Sequence, residues 1–463
     1  MKRNILIFLG MMLALNGCTL IPKYERPELS VPAAWPEKAA SPTTAPLAPD
    51  IGWREFFKDT RLQGVIESAL ANNRDLRVAA LNVEKVSALY RIQRSELYPG
   101  VGVLAVGEKY RLPGKMAEDG RAETIEQYSV NLGFASWELD LFGRIRSLKQ
   151  RALNQFFATE QAHCAARISL IGAVANTYLV LAADLENLHL ARATFDAQKA
   201  SYELIARSRE LGVASDLDLR QAQSQVEAAR VDMARYAGLI EVDLNALNLL
   251  AGTPLPPDLM LEGLGSVAEP GDVGPGLSSE VLLRRPDILM AEHQLKAANA
   301  NIGAARAAFF PRISLTLGGG SLSPDLSGLF GSGTGTWTFA PQIIAPLFAG
   351  GLQLANLKVT KVERAIAVAF YEKAIQTAFR EVSDSLALRT SLAAQQEAAQ
   401  ALVGALEETH RLSNARYEAG VDGYLGVLVA QRSLYAAQQG LVAVRLTRLV
   451  NQVTLYKVLG GGR

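Results

Sequence analysis

The sequence predicts an α+β membrane protein built from an internal tandem repeat, in which long helices wall a barrel and short strands enter a membrane. Three observations predict it. After Gly212-Val213-Ala214-Ser215 comes the apolar row Leu219, Ala222, Val226, Ala229, Met233, Tyr236; after Gly420-Val421-Asp422-Gly423 the same row returns as Val427, Ala430, Leu434, Ala437, Leu441, Val444, displaced by 208 positions. Each half also carries alternating segments of roughly ten residues. Between Pro113 and Pro254, and again after Pro346, no proline interrupts the chain.

The N-terminus is an address. Lys2 and Arg3 precede the apolar run Ile5 to Leu15, the pattern of a secretory signal over residues 1–17 and too short to span a bilayer. Leu15-Asn16-Gly17-Cys18 resembles a bacterial lipobox, which implies cleavage before Cys18 and acylation there; Asn16 departs from the small residue usual at its position. Thr19 is not the aspartate that retains lipoproteins at the inner membrane, so the outer membrane is implied by analogy. Residues 18–60, with prolines at 22, 27, 32, 36, 42, 46 and 49, read as an extended tether.

The first repeat is placed at 61–253. A helix opens near Leu70 to Leu76 and ends at Tyr98-Pro99; its counterpart runs from Arg284-Arg285-Pro286-Asp287 to Phe310-Pro311 in the second repeat, 279–460. Pro286 suits a first helical turn. Then come alternating strands. Val101, Val103 and Ala105 alternate with Gly100, Gly102 and Leu104; Tyr128, Val130, Leu132 and Phe134, and then Ile313, Leu315 and Leu317, alternate with small or polar residues, before a strand around Trp337, Phe339 and Ile343. Glu108–Gln127 and Gly318–Thr336 are expected as the hairpin loops. Such strands suit a membrane barrel wall. Four cannot close one, and open edges in lipid leave backbone groups unpaired at several kcal/mol each. Eight strands as a dimer or twelve as a trimer would close it; a soluble four-stranded sheet is the alternative.

Gly143 to Leu211 reads as one helix of about 100 Å, with shorter return arms at Ser215–Leu250 and Tyr424–Leu459. The shorter arms are completed by the separate helices that end at Pro99 and Pro311. An irregular proline-rich belt, 254–278, separates the repeats. Net charge is +1, which offers nothing to nucleic acid. The four histidines are scattered, there is no metal-ligand spacing, and no phosphate loop or nucleophile elbow occurs, so an enzyme and a cofactor are not expected.

The motifs Trp53-Arg54-Glu55-Phe56-Phe57, Asn72-Asn73-Arg74-Asp75-Leu76, Trp137-Glu138-Leu139-Asp140-Leu141-Phe142-Gly143-Arg144, Arg285-Pro286-Asp287 and Ile302-Gly303-Ala304-Ala305-Arg306 through Pro311 resemble, in order along the whole chain, the TolC-like outer-membrane factors. The similarity is to the OprM-type lipoproteins of multidrug efflux. It implies a homotrimer with a twelve-stranded barrel in the outer membrane, continued by a periplasmic helical barrel, and docking to a periplasmic adaptor and an inner-membrane resistance-nodulation-division pump. A metal-efflux duct, a type I protein-secretion duct, and a pore-less coiled-coil envelope lipoprotein are the rivals. By the resemblance, Gly212, Val213, Gly420 and Val421 are the adaptor-contacting tips. Arg416, Tyr417, Leu425 and Arg432 form the closed gate, with Asp216 and Asp218 as partners on the facing helix pair. Val429 stands where relatives often carry an aspartate, so an acidic ring is weakened or moved to Asp422.

Overall fold

The structure, a computed structural model, describes residues 19–35, 47–118, 120–256, 259, 261–274 and 279–462; the signal segment and Cys18 lie outside them. The helices are α1 (Trp53–Phe56), α2 (Thr60–Asn72), α3 (Arg74–Ser95), α4 (Arg144–Glu210), α5 (Asp216–Ala251), α6 (Pro286–Ala307), α7 (Leu352–Glu418) and α8 (Tyr424–Val458). The strands are β1 (Gly102–Leu112), β2 (Glu123–Glu138), β3 (Arg312–Ser323) and β4 (Gly335–Ile344). Two compact units result: residues 19–27, 82–160 and 290–371 in one, and 28–81, 161–289 and 372–463 in the other.

In the first unit the strands form one antiparallel sheet in the order β1-β2-β3-β4. Cross-strand partners share a face, so the register sorts the side chains. Val103, Leu132, Gly319 and Trp337 lie in one row, and Phe134, Leu317 and Phe339 in another, on one apolar face. Ser129, Asn131, Gly318, Gly320, Thr336 and Thr338 fall on the other. Within one chain the apolar face is open: Trp337 is 78% exposed, and Leu132 and Phe339 are exposed too. Both β1 and β4 are open edges.

The strands run further than the alternation suggests. Glu108, Lys109, Glu123, Glu126 and Gln127 were expected in a loop; the register instead pairs Glu108 with Gln127 and Lys109 with Glu126. Opposite charges meet across the ladder there, so polar sequence extends the strand beyond its apolar stretch. Likewise Gly318 to Gly320 lie within β3, and Thr336 within β4. Gly320 approaches Val130 O so closely that no Cβ fits, which explains a glycine where a β-former would be usual. A bulge between Phe134 and Trp137 inserts one extra residue in β2, and Ser136 adopts φ 54° there.

The proximal tether is also different from the expectation. Residues 19–26 are not free chain but a strap laid along α6. Leu20 O accepts from Arg306, Ile21 packs beside Gly303, Pro22 O accepts from Asn299, and Tyr24 and Arg26 both donate to Glu292. Residues 47–57 hold α1, with Trp53, Phe56 and Phe57 buried and Phe56 stacked on Tyr456 in the second unit's core.

Caps explain the helix boundaries. The expected helix from Leu70 is divided at Asn73, which ends α2 and whose side chain accepts from Leu76 N at 2.9 Å to start α3. Asp140 accepts from Ile145 N and Arg146 N and so satisfies the orphan donors that open α4. Helix α4 contains a stretch long and apolar enough to cross a membrane, but 61% of it is buried inside the protein. The belt is tied down too: Gly265 N donates to Glu186, Arg445 pairs with Glu186 at 3.0 Å, and Arg389 pairs with Asp272 at 2.7 Å.

Candidate functional site: the two helix-turn tips

Each tip is a helix stop followed at once by a helix start. Gly212 (φ 76°) and Gly420 (φ 71°) are left-handed, which lets Val213 N reach back to Ser208 O and Val421 N to Arg416 O. These are the bonds that satisfy the last carbonyls of a helix, and glycine adopts this backbone without a Cβ clash. The restarts differ. Ser215 and Asp218 form a capping box for α5, and the Ser215 hydroxyl and backbone N–H hold the Asp218 carboxyl below the usual carboxylate range. Gly423 starts α8 without a side-chain cap.

The charges close on their own turns. Arg209 pairs with Asp216 at 2.5 Å in the first tip. Arg416 pairs with Asp422 at 2.5 Å in the second, and that bond lowers the Asp422 carboxyl and raises the Arg416 guanidinium. Asp216 and Asp218 therefore do not meet Arg416 or Arg432 within one copy. Sequence-near partners reach each other first, because closing a six- or seven-residue loop costs little chain entropy.

What joins the hairpins is apolar. Ile205, Ala222, Tyr424, Val427 and Leu428 form a buried cluster, with Tyr202, Ala214, Leu219 and Tyr417 packed on it. Tyr417 meets Tyr424 edge-on, ring centroids 5.2 Å apart. Tyr424 is 8% exposed, and burial pushes its phenol above the usual range. Sequence reasoning passed over Tyr424, although it occupies the first turn of a helix whose apolar row was recognised. Further along, Tyr435 donates to Asp232 and Gln439 to the Tyr236 hydroxyl, so α8 and α5 are also joined by polar bonds. Arg432 is exposed beside Asp232, Gln198 and Tyr435 and forms no ion pair among the described residues. Leu425 is exposed, as are Leu211, Val213, Leu217, Val421 and Val429. The tips thus present an apolar surface outside a closed core. Among the described residues no His, Cys, Asp or Glu cluster is arranged for a metal.

The profile of the outer membrane efflux protein family matches residues 65–253 and 277–461, both halves of the duplication. The chain belongs to the outer membrane efflux protein family. It is 49% identical to the toluene efflux pump outer membrane protein TtgC of Pseudomonas putida, over 97% of this chain and 93% of that one. Outer membrane protein OprJ of Pseudomonas aeruginosa is 41% identical over 97% and 94%. Among solved structures, the open state of the Neisseria gonorrhoeae MtrE outer membrane channel superposes with a TM-score of 0.88 at 40% identity, covering 96% of this chain and 98% of that one. The chain is an outer-membrane efflux channel of the TolC-like trimeric fold, each copy contributing its four strands to the barrel.

Proposed function

We propose that this channel is the passive exit duct of a tripartite pump, taking drugs and toxic apolar small molecules from an inner-membrane resistance-nodulation-division transporter through a periplasmic adaptor. The relatives' names carry the cargo class: they include toluene, solvent and antibiotic efflux proteins. The chain itself performs no chemistry in this reading, and the pump supplies the energy. A susceptibility profile of a deletion strain tests the cargo: sensitivity to solvents and antibiotics is expected, whereas sensitivity confined to a metal ion, or loss of a secreted protein, would move the duct to another pump class.

The gate opens like an iris. One observation carries this: each copy's two hairpins share a single buried cluster at the tip, so they move as a body and the joints that part lie between copies. Exposed Arg432, Leu425 and Asp216 meet the neighbouring copies there, and adaptor contact at Gly212, Val213, Gly420 and Val421 favours the splayed state. Planar-bilayer conductance separates the roles. Arg432→Ala is expected to raise mean conductance severalfold. Arg416→Ala, whose partner Asp422 sits on its own turn, is expected to change it little, because an exposed pair contributes little to holding a structure. Equal conductance of Arg432→Ala and wild type would remove Arg432 from the gate.

Cys18 carries the lipid. The strap holds Leu20, two residues on, beside Arg306, six residues before β3 enters the sheet. The nearness of Leu20 to the start of β3 supports a lipid anchor at Cys18, since acyl chains must reach the bilayer that the sheet enters. Intact-mass measurement of the mature protein should show the added acyl mass, absent in Cys18→Ser; an unmodified Cys18 would end the assignment.

A further inference from the structure

The duplication specifies how neighbouring copies pair. β1 and β4 are the two edges of the sheet, and in the trimer β4 of one copy must meet β1 of the next. The register of that meeting can be read from the pairing of β2 with β3, because β2 and β3 already join one repeat to the other.

Pro99 and Pro311 precede β1 and β3 at corresponding points, so Val103 corresponds to Leu315 and Gly107 to Gly319. Val103 pairs with Leu132, and Leu315 pairs with Pro341, so Leu132 corresponds to Pro341. An independent marker agrees. Gly143 and Gly351, both with positive φ, precede α4 and α7, and their spacing is one residue shorter than that of Leu132 and Pro341. The difference is the extra residue of the β2 bulge. Inside the chain Leu132 pairs with Gly319. We infer that Pro341 of one copy faces Gly107 of its neighbour, which aligns Gln342 with Val106, Ile343 with Ala105, Phe339 with Lys109 and Trp337 with Arg111 across the seam.

Two further observations fit this register. The first is hydrogen-bond direction, which alternates along a strand. Leu139 N donates to Ile313 O, and Leu322 N donates to Thr334 O, so odd-numbered β3 residues bond toward β2 and even-numbered ones toward β4. Carried across the observed pairs, the outward-facing backbone groups belong to odd residues on both edges: Trp337, Phe339, Pro341 and Ile343 on β4, and Val103, Ala105, Gly107 and Lys109 on β1. The inferred register matches odd with odd. Proline at 341 costs the four-stranded sheet no bond, since its missing N–H points to the seam, where it leaves the pairing with Gly107 one hydrogen bond short. The second is facing. From Val103 the row runs through Leu132, Gly319 and Trp337 to Arg111 of the next copy, eight positions further along β1. An even advance keeps the two apolar rows on one face around the closed barrel.

Cysteine pairs test the register in the full-length chain with Cys164→Ala. Gln342 and Val106 form a non-hydrogen-bonded pair, whose Cα atoms lie about 4.5 Å apart and within disulfide reach. Gln342→Cys with Val106→Cys is expected to form oxidised intersubunit bonds at least about tenfold more than Gln342→Cys with Leu104→Cys or with Glu108→Cys, whose diagonal separation is about 7–8 Å. Single-cysteine variants should form none. Thr338→Cys with Tyr110→Cys is a second in-register pair, should the first disturb assembly; native trimer on mild-detergent gels identifies the assembled variants. Preferential bonding in either shifted pair, or no bonding by either in-register pair in assembled trimer, overturns the register.

Discussion

Tyr424→Ala is expected to produce a leaky channel and a less stable tip. The side chain is at the centre of the cluster that joins both hairpins of one copy, against Ile205, Ala222, Val427 and Tyr417. Truncating a buried aromatic leaves a cavity that helices of this length cannot collapse locally, at a cost of about 3 kcal/mol. Without that packing the two hairpins no longer move together, so the joint between copies loses its defined geometry. Conductance in planar bilayers should rise above that of wild type, with more frequent open events, and hydrogen exchange near 205 and 428 should quicken. Tyr424→Phe keeps the ring and should remain close to wild type. Unchanged conductance in Tyr424→Ala would show that the apolar cluster does not govern the gate.

The second large effect concerns the strap. Glu292 is 3% exposed and accepts from Tyr24 and Arg26, and it pairs with Lys296 at 2.9 Å. Burial pushes its carboxyl up, but the bonds to Lys296 and Arg26 outweigh this and hold it below the ordinary range. A carboxyl whose folded value is lowered contributes stability above its unfolded pKa and loses it as pH falls through the folded value. Glu292→Gln should therefore cost about 2 kcal/mol at neutral pH, less than a fully buried pair because Arg26 remains half in water. The deficit should shrink as pH drops below the usual glutamate range near 4.5. Thermal midpoints at several pH values check the sign, and trypsin cleavage after Lys23 should accelerate as the strap detaches. A constant deficit across acid pH would mean that the carboxylate charge is not what holds the strap.

Much of the architecture was legible because it is written in local periodicity. The helix expected over Gly143–Leu211 is α4 at Arg144–Glu210, and the return arms fall within a residue or two of α5 and α8. A proline-free apolar spacing and a glycine stop are sufficient for that. The apolar sides of the strands were legible for the same reason, since alternation is a property of neighbouring residues. The strand ends were not, because Lys109 and Glu126 look like loop until each is placed opposite the other. Nor was the division at Asn73, where one side-chain cap outweighs a continuous helical pattern.

The tips show the division most clearly. Their position followed from Gly212 and Gly420. Which charge meets which did not follow. Asp216 was expected against the facing helices and is bonded to Arg209; Arg416 is bonded to Asp422; the hairpins meet through Ile205 and Ala222 of one against Tyr424, Val427 and Leu428 of the other. The residue string by itself determined element type, the lengths of the long helices, facing and the need for other copies to finish the sheet, all of which depend on spacing along one segment. Only the tertiary structure decided the strap along α6, the bulge in β2 and the pairing at the tips. The strap and the bulge depend on contacts between segments far apart in the chain, and the tip charges on which near partner closes its loop at least entropic cost, a balance settled only once the chain has folded.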